Sequence, residues 1–427
     1  MRTIYYWLII TALFATGGLI GCGDDDGGAN TTPGSDAAEL LVDADPSLDP
    51  TTELRRGPYL QAPSPGTVTV SWCTDEPTTS RVEYGPAGEA QTEVAGITFI
   101  QQPTTDDPIL YGTLPETYQH EVTLEGLVAG QRYTYRVLSA AAPEPEGSFV
   151  APPDPGDDFR FFLFGDTRTH TEEHQSVIDL MAAEIDADGE RAFVVHTGDM
   201  VNSGGLDANW DDFFEIEASL LSRTPMIPVY GNHEAMLGRT IYEGLMKAPP
   251  STTGGNDRWF SVDIGDIHIA TLEVYNMTDE PQLEWLEQDL AASAAPFKFV
   301  LVHSPLFTFS NHLPNFDLRD ELLPILEATG VQLVLSGHNH LYERFFGSGI
   351  HFVVSGGGGA PLYGTNDNPE ANNTGAVRQA ADESLHYVSA ELTGTQIQFE
   401  AIAVPDATPI DCFVIDSEVP GAELPCQ

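Results

Sequence analysis

The sequence predicts an all-β sandwich followed by an α/β layered fold, and three observations carry that reading. Residues 55 to about 150 hold short β-branched runs separated by Pro, Gly and Asp clusters at sandwich-like spacing. From Asp157 onward, apolar runs of strand length alternate with amphipathic helical stretches. Ala151-Pro152-Pro153-Asp154-Pro155 divides the two regions as a linker. With 427 residues, 41% hydrophobic, the chain can bury a sizeable core, so global disorder is excluded despite a net charge of −48. Its 40 Gly and 31 Pro follow no short period, which excludes collagen-like and coiled-coil structure.

The first 22 residues read as a targeting segment: Arg2 is a positive n-region, Ile4 to Phe14 are almost entirely apolar, and Leu19-Ile20-Gly21-Cys22 follows small residues. The run is short for a membrane span. The tetrapeptide resembles a bacterial lipobox, which implies removal of residues 1–21 and lipidation of Cys22. The chain would then sit lipid-anchored in a bacterial cell envelope, on its periplasmic or cell-surface side. An ordinary secretory signal is the alternative, but it leaves Cys22 without a purpose. Residues 22–54 read as an acidic flexible tether, with nine acids and no base between Gly23 and Glu53.

Export places the other cysteines in an oxidising compartment. Cys412 and Cys426 are a candidate disulfide, and Cys73, inside the strand-like run Val68 to Cys73, reads as a small buried residue. Within residues 55–150 the strands are Thr67 to Trp72, Ser80 to Tyr84, His120 to Leu124 and Arg132 to Val137. Leu127 to Tyr133 resembles the tyrosine-corner approach of a fibronectin type III domain. No metal-ligand spacing occurs there, so this region reads as a substrate gate or a spacer.

In the second region the strands are Phe159 to Phe164, Ala192 to Val195, Met226 to Tyr230, Lys298 to Val302 and Val331 to Leu335. Helices are predicted at about 172–188, 209–222, 281–294 and 317–328, the third opened by Pro281. Hairpins follow at Arg258 to Val274 and His386 to Val404. The domain is expected to run from 157 to 404, with 405–427 as a C-terminal tail.

The strand ends carry the chemistry. Gly165-Asp166, Gly198-Asp199, Gly231-Asn232-His233-Glu234, Val302-His303 and Gly337-His338-Asn339-His340 each follow an apolar run. Ligands at the C-terminal ends of sheet strands converge in one crevice. Two Asp, one Asn and three His form a nitrogen and oxygen donor set that suits Zn, Fe, Mn or Co.

These blocks, in this order, resemble the calcineurin-like metallophosphoesterase superfamily, and over residues 55–404 its purple acid phosphatase branch. The resemblance implies a four-layer α-β-β-α sandwich behind a fibronectin type III-like domain. It also implies two transition metals, Fe, Zn or Mn, divalent or mixed-valence. Asp199 would bridge them, Asp166 and His340 would hold the first, and Asn232, His303 and His338 would complete the second. The cations would neutralise a phosphate and activate water for in-line attack. His233 would serve as hydrogen-bond or proton donor with Glu234 orienting it, and His312 would contact phosphate.

Two positions depart from the family. Arg168 stands where the purple branch carries Gly and the wider superfamily a His ligand, and Asn202 replaces the colour-giving tyrosine. Neither a purple colour nor a stable ferric ion is expected. Arg168 fits either the substrate phosphate or a structural ion pair. His170 and His174 could substitute as ligands or lie on a surface loop and helix face. Ser355 to Gly359 reads as a tight backbone passage beside the site, His196 as a packed neighbour of Asp199, and His268 and His351 as strand residues. Trp210, Trp259 and Trp285 read as packing residues.

The expected function is an exported phosphatase acting on small phosphomonoesters. Alternatives are a phosphodiesterase or nucleotide hydrolase on the same site, and a non-catalytic surface-binding lipoprotein that keeps the fold. With 65 acids against 17 bases, nucleic acid is excluded as a partner, and membrane contact is expected only through the lipid.

Overall fold

The computed structural model describes residues 52–101, 116–235, 239–250, 254–275, 281–365 and 375–426. The signal segment 1–21, Cys22 and the tether through Thr51 lie outside the described residues. The expected tether boundary at residue 54 is too late, because Thr52 already bridges Ala140 and Leu54 opens the first strand.

The N-terminal strands are β1 (Leu54–Ser64), β2 (Thr67–Thr74), β3 (Arg81–Pro86), β4 (Thr92–Ala95), β5 (Ile97–Gln101), β6 (Thr117–Leu124), β7 (Arg132–Val137) and β8 (Glu146–Val150). They form two layers, ordered β1-β2-β6-β5 and β4-β3-β7-β8. Alternate residues of both layers, including Leu60, Val70, Trp72, Val82, Val122, Tyr135 and Phe149, meet in one buried core. The Tyr133 hydroxyl accepts from the Val128 amide at 3.0 Å, which pins the turn into β7. Cys73 is buried, and burial pushes its thiol up to about 11.

The second region runs β9 (Phe159–Phe164), α1 (Thr171–Asp188), β10 (Val194–His196), α2 (Asp207–Leu221), β11 (Met226–Pro228), α3 (Asn232–Ala235), α4 (Arg239–Leu245), β12 (Phe260–Ile264) and β13 (Ile267–Leu272). It continues through α5 (Pro281–Ala292), β14 (Phe297–Val302), α6 (Phe316–Thr329), β15 (Leu333–Ser336), β16 (Tyr342–Gly347), β17 (Ile350–Ser355) and β18 (Val377–Asp382). It ends with β19 (His386–Thr393), β20 (Gln396–Ala403), β21 (Thr408–Asp416) and β22 (Leu424–Pro425).

Strand alternation explains the layers. Phe161 and Leu163 of β9 point into a central core with Phe299 and Leu301 of β14, while Phe162 and Phe164 face Val177, Met181, Trp210 and Phe213 of α1 and α2. On the far side, Val300 and Val302 face Leu286, Leu290, Leu318 and Leu322 of α5 and α6. The result is α-β-β-α, with β9, β10 and β11 parallel in one sheet and β13, β14, β15 and β17 parallel in the other. Trp210 is core, with its Nε1 donating to the Gly204 carbonyl, and Trp259 packs edge-on against Trp285.

Two expectations fail here. The Pro-rich linker does not isolate the sandwich as a spacer, because β1 pairs in parallel with β11 and makes one continuous eleven-stranded sheet. Arg55 and Arg56, Arg56 fully buried at its side chain, join Asp207 and Asp211 of α2 across that junction. Residues 405–427 are not a tail either: β21 pairs along β20, Phe413 stacks on Phe399 at 4.8 Å, and Asp411 accepts from Tyr342 and Arg344. Cys412 and Cys426 are disulfide-bonded, tying β22 to β21. Pro405, Asp406 and Pro409 mimic a solvated tail locally, but the apolar side chains of Phe413 and Ile415 enter the central core.

Candidate metal centre

β9, β10, β11, β14 and β15 end at one edge, and the residue that follows each turn is the one that carries a ligand atom. Asp166, Asp199 and His338 each come directly after a glycine and have φ of +56°, +54° and +69°. Left-handed backbone at non-glycine residues is costly and persists where the surroundings over-determine it. Here it turns the side chain back across the strand end. Gly198, at φ +99°, is required twice over, since a Cβ there would lie 2.6 Å from His303 Nδ1.

Asp199 is the hub. Its Oδ1 lies 3.3 Å from His303 Nε2, and its Oδ2 lies 3.3 Å from Arg168 Nε and 3.7 Å from His233 Nε2. Asp166 lies 3.5 Å from His340 Nε2 and accepts from the His338 amide at 2.9 Å. Asn232 Oδ1 accepts from the Tyr275 hydroxyl at 3.3 Å, and the Tyr275 ring sits 6.0 Å from that of His303. His312 lies over His338 with ring centroids 4.3 Å apart. All nine sequence-predicted residues other than Glu234 thus face one pocket.

Burial governs the electrostatics. It lowers His338 to about 2 and His340 to about 4, leaving both imidazoles neutral with a lone pair to offer. It also works to lower His303, but Asp199 and Asp166 outweigh it and raise that ring to about 9. Against its own burial, Asp199 is held well below the usual carboxylate range by His303 and His233, while burial drives Asp166 well above it. Two carboxylates in one dry pocket call for a cation between them.

The donors around His303 fit a metal ion. His303 Nδ1 donates to the Thr197 carbonyl at 2.8 Å, so the buried Nε2, which makes no hydrogen bond and faces Asp199 Oδ1 at 3.3 Å, is the nitrogen that would give up its proton to offer a lone pair to a cation. Ligand atoms of Asp199, His303 and His338 lie within 4.8 Å of one another, the one such cluster among the described residues. The donors around Asp166 do not fit a second ion. Arg168 Nη2 donates to His340 Nε2 at 3.3 Å, and the Asn202 side chain is turned away to accept from Thr169. His170 and His174 do not substitute: the first is exposed beside Glu173, and the second is buried on Glu217 at 2.7 Å.

Glu234 does not orient His233. In the short α3 it points inward and accepts backbone N–H bonds from Gly231 at 3.0 Å, Asp199 at 2.9 Å, Met200 at 2.9 Å and Val201 at 3.4 Å. Burial, with Asp199 beside it, pushes its carboxyl up to about 7, against the pull of those donors. His233 is held instead by the Asn202 backbone carbonyl, 2.6 Å from Nδ1. A backbone acceptor leaves no side-chain signature in a sequence.

Asn339, between His338 and His340, carries no ligand role. Its side chain accepts from the His312 amide at 2.9 Å and donates to the His312 carbonyl at 3.0 Å, fixing the His312 loop. Tyr363, stacked on His340 at 4.0 Å and four residues beyond the Gly356 to Gly359 passage, and Tyr275, bonded to Asn232, carry no ligand spacing and so left no signal in the sequence. His196 is a packed neighbour, bonded to Thr167 at 3.1 Å. The passage at Gly356 to Gly359 runs against the site, with the Gly358 amide on the Gly165 carbonyl at 2.8 Å. His268 lies between Asp263 and Asp289, and His351 stacks on Phe413, both remote from the centre.

A converging Asp, Asn and His set at strand ends of an α-β-β-α sandwich defines a metallophosphoesterase, and comparison with known proteins agrees. Residues 159–342 match the calcineurin-like phosphoesterase family, so the second region is a domain of that kind. Residues 57–151 match the purple acid phosphatase N-terminal domain, so the two regions follow the domain order of that branch. The chain is 27% identical over 312 residues to acid phosphatase type 7 of Homo sapiens, covering 66% of this chain and 68% of that protein. It is 26% identical over 280 residues to probable inactive purple acid phosphatase 9 of Arabidopsis thaliana, covering 53% and 42%. The fold is that of the purple acid phosphatase PPD1 from yellow lupin (Lupinus luteus) seeds, with a TM-score of 0.70, 19% identity, and 86% of this chain and 75% of that chain covered.

Proposed function

We propose that this chain is a metal-dependent phosphatase hydrolysing small phosphate monoesters outside the cytoplasm, anchored through lipid on Cys22. The observation that carries the reading is the orphaned, buried His303 Nε2 beside Asp199 and His338, with His233 on the opposite side of the same carboxylate. Asp199, Asn232, His303 and His338 would hold Zn, Mn or Fe. Such an ion supplies Lewis-acid charge for the phosphoryl oxygens and acidifies a water.

The chain's own residues supply the rest. His233 donates Nδ1–H to the Asn202 carbonyl, so its Nε2 faces the site and delivers a proton to the leaving alkoxide only from the imidazolium, a form that burial disfavours and Asp199 favours. Arg168, 14% exposed at its side chain, offers N–H groups to the phosphate from the pocket wall. His312, fixed by Asn339, covers the mouth beside Tyr363, 5.5 Å away, and helps exclude water.

The test is turnover of p-nitrophenyl phosphate and its bis ester by protein purified without a histidine tag, with metal analysis of the same sample. The monoester is expected to turn over faster. A faster bis ester would replace this reading with a phosphodiesterase. Less than one metal per chain, with no turnover after adding Mn, Zn or Fe, would leave a surface-binding lipoprotein.

A further inference from the structure

The two halves of the pocket are not equivalent. Around His303 the buried Nε2 makes no hydrogen bond and faces only Asp199 Oδ1 at 3.3 Å, so its lone pair is open to an ion that displaces the proton. Around His340 the equivalent lone pair is already used. His340 Nδ1 faces the Pro361 carbonyl at 2.7 Å, and a carbonyl can only accept, so Nδ1 carries the hydrogen and Nε2 the lone pair. Arg168 Nη2 donates to that lone pair at 3.3 Å, and a lone pair engaged by an N–H cannot also bind a metal.

Arg168 also takes the other contact a first ion would need, since its Nε lies 3.3 Å from Asp199 Oδ2. Its Nη1 donates to Thr169 Oγ1 at 3.3 Å, so both terminal nitrogens are hydrogen-bonded, while the buried Nε makes no hydrogen bond and holds its place beside Asp199 by charge. A guanidinium stays protonated at any working pH and cannot become a ligand. Its charge instead repels a second cation at this short range. Tyr363 stacks on the His340 ring at 4.0 Å and fixes its plane.

We propose that the centre is built for one metal ion and one guanidinium: the ion on Asp199, Asn232, His303 and His338, and Arg168 as a permanent cation between Asp199 and His340. This rests on the metal-dependent reading above. A phosphate would then meet one Lewis acid and one planar hydrogen-bond donor, and the position of the donor would not depend on metal supply. The arrangement leaves Asp166 held by the His338 amide at 2.9 Å.

The experiment is metal stoichiometry. Metal-free full-length protein is titrated with Mn²⁺ and followed by native mass spectrometry and by electron paramagnetic resonance. The wild type is expected to saturate at one ion per chain with the hyperfine pattern of an isolated Mn²⁺. Arg168→His, which removes the guanidinium and adds an imidazole, is expected to take two ions and to show exchange coupling between them. Arg168→Gly is expected to take a second ion more weakly.

Two ions in the wild type overturn the proposal while leaving the metal-dependent reading intact. No ion in the wild type overturns both. An Arg168→His variant that is folded by circular dichroism yet still saturates at one ion also overturns it. If that variant does not fold, the wild-type count and Arg168→Gly decide.

Discussion

Glu234→Gln isolates what holds the metal-ligand loops in place. The Glu234 carboxylate is fully buried and is the shared acceptor for N–H groups of the Gly198 to Val201 turn and of Gly231. Oε2 takes Asp199 and Gly231, while Oε1 takes Met200 and Val201. Glutamine keeps the shape and one oxygen, so one pair of contacts survives. The other pair then meets an amide NH₂, donor against donor, in a fully buried site. Two buried N–H donors are left unsatisfied, each costing about 1–3 kcal/mol, which sums to about 2–6 kcal/mol. That is a large part of the 5–15 kcal/mol typical of a folded domain. Urea unfolding of metal-free wild type and variant measures it, and the affinity for Mn²⁺ should fall in parallel because Asp199 is displaced. A destabilisation under about 1 kcal/mol, with activity lost, would refute the loop-holding role and restore Glu234 as the partner of His233.

Other expectations are smaller in scope. His268 is held to about 9, as Asp263 and Asp289 overcome the effect of burial. Its folded value is raised, so its stabilisation is complete below about pH 6.5 and lost as pH climbs through about 9. The melting-temperature gap between wild type and His268→Gln should close over that window, and a constant gap would contradict this. The chain carries 65 acids and only 17 bases, so an anionic substrate approaches a repelling field. Raising NaCl should therefore increase kcat/KM by screening, and a flat or falling profile would count against that picture.

The site was legible where a glycine, a strand end and a ligand coincide. Gly165-Asp166, Gly198-Asp199 and Gly337-His338 announce themselves because only such a turn tolerates the left-handed backbone that aims the side chain into the crevice. Direction was not legible. Glu234 follows His233 directly, yet the turn of α3 sends one toward the backbone of Asp199 and the other toward the pocket. Arg168 could reach substrate or a carboxylate, and only the placement of Asp199 and His340 shows that it spans both. The strand pattern gave the layers, because apolar alternation reports which face is buried. It gave neither the union of β1 with β11 nor the return of β21 to the sheet, since pairing between distant segments depends on partners that no local pattern names.

Asp199 is the residue on which the whole account turns, touching His303, His233 and Arg168 at once. Metal content and p-nitrophenyl phosphate turnover of Asp199→Ala, measured on one folded sample, put that to the question. Bound metal and turnover are expected to disappear together; a variant that keeps its metal and its activity would remove Asp199 from the centre of the site.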